Sequence, residues 1–171
     1  MNYISINKCD VANGTGIRCT VFVAGCSHHC PGCHNPESWD LNAGIKFTKE
    51  TEEEILDVVR RPHIRGLTLS GGDPLHSRNR DELVSLVKRI KTELSGKDIW
   101  VWTGYEFDKI KDTELIKYCD VAVVGRFILD QRDISGNNVF RGSMNQRVIN
   151  VQKSLTENKL VPVEGIPNNE I

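Results

Sequence analysis

Three cysteines, at positions 26, 30 and 33, fall within eight consecutive residues, and thiolates are strong ligands for iron-sulfur clusters and zinc. Spaced four and three apart, they would line one face of a helix. Pro31 and Gly32 interrupt that run and favour a loop wrapped around a metal centre. Two chemistries fit such a loop. Three thiolates can hold three irons of a 4Fe-4S cluster, whose usual complement is four cysteines, and leave the fourth iron open to an outside ligand. Alternatively, the three cysteines and one of His28, His29 or His34 make a tetrahedral Cys3His zinc site. Spacing alone does not choose between them. Cys9, Cys19 and Cys119 stand apart and read as core or surface residues.

The elements that carry this loop alternate in type. Residues 18–24 (RCTVFVA) are a β-prone run ending at Gly25, so the cysteine loop directly follows a strand. Residues 48–60 read as a helix, with Thr51 and Glu54 at capping-box spacing, Ile55, Val58 and Val59 on one face, and Pro62 past its end. A second strand, residues 66–70 (GLTLS), closes on Gly71-Gly72-Asp73-Pro74. Residues 79–94 have helical spacing of Leu83, Leu86, Val87, Ile90 and Leu94, with Asn79 and Glu82 placed to cap the start. Residues 98–103 (DIWVWT) are apolar on both faces, as a buried parallel strand is. Residues 106–118 read as a helix broken near Lys111-Asp112-Thr113; residues 120–124 (DVAVV) form a fourth strand and residues 146–151 (QRVINV) a fifth.

Strands alternating with helices imply a parallel sheet with right-handed crossovers. Four to five βα units are too few to close an eight-stranded barrel. The expected fold is therefore α/β, a partial (open) parallel β/α barrel over residues 1–151, with residues 152–171 a loosely held C-terminal tail. The cysteine loop, Gly71-Gly72, Thr103-Gly104 and Gly125-Arg126 each follow the end of an expected strand. Parallel α/β folds bind their ligands at those ends, so the four segments should share one mouth.

A chain of 171 residues, 39% of them hydrophobic, has the size of one compact domain. Its 22 Lys and Arg against 23 Asp and Glu, with no basic block, argue against a nucleic acid or an anionic membrane surface as partner. The first residues lack the apolar run of a signal peptide, and no later run has the length of a membrane span. A cytoplasmic location is expected, where reducing conditions keep cysteines from forming a disulfide framework.

Residues 13–39 (NGTGIRCTVFVAGCSHHCPGCHNPESW) resemble the cluster loop of the radical S-adenosylmethionine activating enzymes, whose signature is C-x3-C-x2-C. The resemblance implies a partial barrel of the radical SAM type. It also implies one 4Fe-4S cluster on Cys26, Cys30 and Cys33, with S-adenosylmethionine chelating the open iron and being split to a 5′-deoxyadenosyl radical. The context favours that cluster over zinc, because a structural zinc staple needs no glycine pair at the mouth of a sheet and a small zinc module is far shorter than this chain. Ser70-Gly71-Gly72-Asp73-Pro74 resembles the family's glycine-rich segment, whose backbone meets the methionine amino group. Ser70, Gly71, Gly72 and Asp73 are thus implied at the cofactor, and a missing Cβ lets the main chain approach it. Gly32 and His34 flank Cys33 and are implied there too; many family members carry an aromatic residue where this chain has Gly32, and His34 is the candidate substitute. Thr103 and Arg126 complete the implied cofactor contacts. The family often has Asp-Gly-Lys-Phe where this chain has Val124-Gly125-Arg126-Phe127, a change that removes an acceptor from the ribose side. No side-chain acid or base is expected, because the cofactor carries the chemistry.

Within this family, Cys30-Pro31-Gly32-Cys33, residues 71–76 (GGDPLH), 97–105 (KDIWVWTGY) and 141–146 (RGSMNQ) resemble the activators of anaerobic ribonucleoside-triphosphate reductase. That likeness covers most of residues 1–147. It implies a large glycyl-radical reductase subunit as partner and a flavodoxin- or ferredoxin-like electron donor, since low-potential ferredoxin clusters sit at about −400 mV. The alternatives are a pyruvate formate-lyase-type activating enzyme, an iron-sulfur electron carrier or a zinc-binding module. Arg141, Ser143 and Asn145 are candidates for shaping the mouth or meeting the partner, and Trp39, Trp100 and Trp102 read as core.

Overall fold

Along the chain, strands β1 (Asn2–Asp10), β2 (Ile17–Val23) and β3 (Ile45–Lys46) precede helix α1 (Lys49–Arg60), strand β4 (Ile64–Gly71) and helix α2 (Arg80–Glu93). Strand β5 (Asp98–Thr103), short helices α3 (Phe107–Ile110) and α4 (Glu114–Lys117), strands β6 (Val121–Val124) and β7 (Arg147–Asn150), and helix α5 (Val151–Glu157) follow. The computed structural model describes residues 1–132 and 140–167. The strands form one open sheet in the order β3-β1-β2-β4-β5-β6-β7. Its centre, β2-β4-β5-β6, is parallel throughout, as the alternation of strands and helices requires. The fold is the expected mixed α/β type, an open sheet compatible with a partial β/α barrel.

The edges differ from the expectation. β1 pairs antiparallel with β2, and β7 antiparallel with β6. β7 is therefore not another βα unit: it runs antiparallel to β6, with no crossover helix before it among the described residues. β1 escaped the sequence reading because NYISINKCD is interrupted by polar residues and lies only half-buried. The chain after Lys153, read from its polarity as loosely held, begins in α5, and its described part, to residue 167, makes packing contacts. Leu155 and Leu160 lie on the core, Asn150 N–H donates to Val161 O at 2.8 Å, and Val163 N–H donates to Val148 O.

Each central strand has two faces. On one, Cys19, Val21, Val23, Leu67, Leu69, Ile99, Val101, Ala122 and Val124 meet the apolar sides of α1 and α2. On the other, Trp100, Val121, Val123 and Val148 form a second cluster, and Phe22, Ser70 and Trp102 line an open cavity. This alternation is the period-two geometry of a strand with both faces covered. At the base of the concave face lies Arg18, with no solvent exposure. Its guanidinium donates to Thr68 Oγ1 at 2.7 Å and Leu67 O at 2.9 Å, pairs with Asp98 Oδ1 at 2.6 Å, and sits 5.3 Å from the Trp100 ring centre. Burial pulls the Arg18 pKa down, and Asp98 opposes that shift.

Helix starts divide labour in an informative way. α1 opens with a capping box between Thr48 and Thr51, one turn earlier than the Thr51–Glu54 pairing expected. At α2, Asn79 makes no side-chain cap bond. Its amide donates instead to Ala24 O at 2.9 Å and Asp73 O at 3.0 Å, tying the end of β2 to the turn after β4. The break between α3 and α4 falls at residues 111–113, as the sequence suggests.

Two outcomes follow from this packing. Asp98→Ala leaves a buried guanidinium short of its carboxylate and should lower the unfolding free energy by about 3 kcal/mol in a guanidinium titration; a loss under about 0.5 kcal/mol would contradict the pairing. Burial pushes the Cys19 thiol up to about 12 and the Cys119 thiol higher still. At pH 8 both should therefore stay protonated and resist iodoacetamide in the native protein while exposed Cys9 reacts, as counted by mass spectrometry.

Candidate functional site

The parallel strands point their C-terminal ends to one side, and four short segments leave from there. The cysteine loop leaves β2. Its two ends are pinned by Gly25 N–H to Ser38 O at 2.7 Å and Cys26 N–H to Trp39 O at 3.1 Å. Inside it, Cys33 N–H donates to Cys30 O at 3.0 Å, closing a four-residue turn with proline second and Gly32, at φ 73°, third. That pattern is the signature of a type II turn, whose third position favours glycine. The turn sets Cys30 and Cys33 at its two ends. His29 adopts φ 46° and stacks on Trp39, ring centres 4.7 Å apart.

The glycine turn leaves β4 and lies against the base of the cysteine loop. Gly72 N–H donates to Val23 O at 2.7 Å and Asp73 N–H to Gly25 O at 2.8 Å. There is no room for a side chain at either glycine: a Cβ on Gly71 would come 2.5 Å from Val23 N, and one on Gly72 would come 2.6 Å from Gly25 O. The Asp73 side chain, 1% exposed, then gathers donors from three segments. Leu75 N–H and Thr103 Oγ1 reach Oδ1 at 2.8 and 2.9 Å, while Gly104 N–H and His28 Nε2 reach Oδ2 at 3.1 and 2.8 Å. A buried carboxylate is tolerable when so fully hydrogen-bonded.

Between these segments opens a cavity of about 510 Å³, lined by Cys26, Cys30 and Cys33 on one side and by Ser70, Gly71 and Gly72 on another. That volume is in the range of small-molecule and cofactor sites. Its far wall holds Phe127, Phe140, Arg141, Gly142 and Gln146, with Trp102 between. Burial pushes the Cys26 thiol up, with Asp73 and Cys30 adding to the shift, while backbone N–H groups of His28 and His29 oppose it. Donors at about 2.3 Å around a single zinc ion would bring sulfurs within about 4 Å of each other. Among the described residues, no three Cys, His, Asp or Glu side chains converge in that way. Of the three histidines offered for zinc, His28 has its Nε2 committed to Asp73, His29 lies against Trp39, and His34 lines the cavity. Cys26, Cys30 and Cys33 all border the one cavity, and three thiolates are a donor set that fits three irons of a 4Fe-4S cluster.

A family model described as a 4Fe-4S single cluster domain matches residues 12–149. The curated relatives include the anaerobic ribonucleoside-triphosphate reductase-activating protein of Escherichia coli K12, 45% identical over 152 residues, covering 86% of this chain and 97% of that one. The protein of the same name from Haemophilus influenzae is 47% identical, covering 85% and 96%, and that of Enterobacteria phage T4 is 43% identical, covering 86% and 93%. The chain belongs to the anaerobic ribonucleoside-triphosphate reductase-activating protein family. In this member of the activating-protein family, the matched span takes in all three cavity cysteines, the glycine turn and the far wall.

The residues expected at the cofactor divide into two groups. Cys33, His34, Ser70, Gly71 and Gly72 line the cavity, as do Cys26 and Cys30. Gly32 lies beside them in the cysteine turn, leaning on the Leu129 side chain. The other three side chains are directed at protein. Asp73 is saturated by the donors named above, and Thr103, although it lines the cavity, spends its hydroxyl on both Asp73 oxygens. Arg126 donates to His28 O at 2.5 Å. Val124 packs into the helix-side core, away from the cavity, so a carboxylate there would not have faced a ligand. Arg141, Ser143 and Asn145 belong to a compact turn of the far wall, in which Gln146 Oε1 accepts from Gly142 N–H at 2.8 Å while Gln146 Nε2 donates to Gly125 O at 2.9 Å.

Several site residues escaped the sequence reading. His28 was weighed only as a zinc ligand, Asn79 only as a cap, and Trp102 only as core. The signal for His28 was Gly104: a Cβ there would lie 2.4 Å from the imidazole Cδ2, so the glycine marks where another group presses on the backbone. Gly72→Ala should push the cysteine loop off the turn and cost at least about 2 kcal/mol of unfolding free energy. An unchanged denaturation midpoint would contradict the contact between the two segments.

Proposed function

We propose that this chain activates an anaerobic ribonucleoside-triphosphate reductase by creating a radical on a glycine of the large reductase subunit, with S-adenosylmethionine as the radical source. The observation that carries the reading is one cavity lined both by three free thiols and by Ser70, Gly71 and Gly72 of the turn after β4. The names of the relatives support the choice of reductase over pyruvate formate-lyase as the target. A 4Fe-4S cluster on Cys26, Cys30 and Cys33, once bound, supplies the electron that splits S-adenosylmethionine into methionine and the 5′-deoxyadenosyl radical that takes a hydrogen atom from the glycine.

The protein's own contribution is to hold and to position. Cys26, Cys30 and Cys33 would hold three irons of the cluster and leave the fourth to an outside ligand, with His28 engaged at Asp73. Ser70, Gly71 and Gly72 offer main chain to an amino-acid moiety, Gly32 and His34 border it beside Cys33, and Trp102, Phe127 and Phe140 give an adenosyl group apolar faces. Asp73, Thr103 and Arg126 serve the same site from behind, by fixing the loops that touch it. No side-chain acid or base has a part, since a hydrogen atom moves rather than a proton. The electron comes from a flavodoxin- or ferredoxin-like donor of comparably low potential, and a reducing cytoplasm suits both the thiols and the cluster. The chemistry lies within residues 1–151, with 152–171 as an appended segment; among the described residues no helix is long and apolar enough to cross a membrane.

The test is anaerobic reconstitution with iron and sulfide, then reduction in the presence of S-adenosylmethionine and either candidate target. The expected result is 5′-deoxyadenosine formation and a glycyl-radical signal on the ribonucleotide reductase, with both lost, along with bound iron, in Cys26→Ala, Cys30→Ala and Cys33→Ala. Normal cleavage by any of these variants, or a radical formed solely on pyruvate formate-lyase, would refute the assignment.

A further inference from the structure

His28 sits between two of the three thiols, and its ring reaches out of the cysteine loop to Asp73, the residue that follows Gly71-Gly72. Four contacts hold the imidazole and its backbone. Nε2 lies 2.8 Å from Asp73 Oδ2, the ring packs edge-on to Tyr105 at 4.6 Å, Gly104 leaves the space that the ring fills, and Arg126 binds the His28 carbonyl. Asp73 in turn is fixed by Leu75, Thr103 and Gly104. The bases of the two loops are already joined through main chain, by Gly72 to Val23 and Asp73 to Gly25. The His28–Asp73 bond adds a brace further out, where the thiols are.

We propose that His28 and Asp73 are positioning residues: a strut that fixes the distance between the thiol cluster loop and the glycine turn, and so governs S-adenosylmethionine binding without governing cluster assembly. This rests on the cluster reading given above. A ligand gripped at once by the turn and by the open corner of the metal centre needs both held to a fraction of an ångström. Assembly of the cluster needs only the three sulfurs of one loop, which has its own internal turn and pinned ends. Loss of the strut should therefore separate the two events. Partners of this outer kind typically alter a site's affinity by about 10–100-fold.

The experiment uses anaerobically reconstituted, reduced holoprotein and reads three quantities: iron content, equilibrium affinity for S-adenosylmethionine, and the change that it causes in the electron paramagnetic resonance spectrum of the cluster. His28→Phe keeps the ring's bulk and loses the donor. It should retain the parent's iron content, bind S-adenosylmethionine at least about tenfold more weakly and show a diminished spectral change. His28→Gln places an amide nitrogen within reach of Asp73 Oδ2 and should recover most of the affinity. Gly104→Ala, which crowds the imidazole while keeping the main-chain N–H that Asp73 accepts, should resemble His28→Phe. Parent-like affinity in His28→Phe, loss of iron in step with loss of affinity, or a Gln variant no better than Phe would each overturn the strut. If the parent itself holds iron but neither binds S-adenosylmethionine nor changes its spectrum, the functional reading fails first and the strut falls with it.

Discussion

A carboxylate removed from water has to find its hydrogen bonds within the protein, and Asp73 finds them on three stretches of chain that are far apart in sequence. Leu75 comes from its own turn, Thr103 and Gly104 from the end of β5, and His28 from the cysteine loop after β2. Because these partners converge on one buried group, the ends of neighbouring parallel strands are held in mutual register on the side where the cavity opens. Asn79 reinforces the same junction from the helix side, donating to Ala24 and Asp73 carbonyls in place of capping α2.

That convergence explains where the small residues stand. Gly72 passes under the Gly25 and Ser38 carbonyls, Gly71 beside Val23, and Gly104 under the His28 ring, each at a distance that excludes a methyl group. The polar junction is confined to the mouth. Below it, the concave face turns aromatic and aliphatic, with Trp100 stacked on Trp102 at 5.7 Å, and Arg18 closes the base with its charge met by Asp98. The opposite face is the uninterrupted apolar core against α1 and α2. The frame thus surrounds one opening lined by the three thiols and by the glycine turn.

Much of this was legible in the sequence, and the reasons are physical. Central strands buried on both faces give unbroken apolar runs, so β2, β4, β5 and β6 stand out, and α1 and α2 show in the spacing of Ile55 to Val59 and of Leu83 to Ile90. Strand ends carry the loops in a parallel sheet, which is why the sequence alone places the cysteines and glycines at one mouth. The direction of β7 was not legible, since QRVINV reads the same whether its neighbour runs parallel or antiparallel. Nor was the aim of individual polar side chains. Asp73, Thr103 and Arg126 look like ligand contacts by position, yet their hydrogen bonds run to protein. Choosing between a buried acceptor and a ligand requires knowing which donors a distant loop brings near. The Asn79 amide is the same case, a cap by its place in sequence and a tether in space.

Mössbauer spectroscopy of anaerobically assembled protein, enriched in the resonant iron isotope and recorded with and without S-adenosylmethionine, tests most directly the proposal that three cysteines hold an iron-sulfur cube and leave one metal for S-adenosylmethionine. The account predicts that a single iron environment shifts on addition while the others stay as they were. A cluster in which every iron already carries a protein donor as its terminal ligand, and which is indifferent to S-adenosylmethionine, would contradict it.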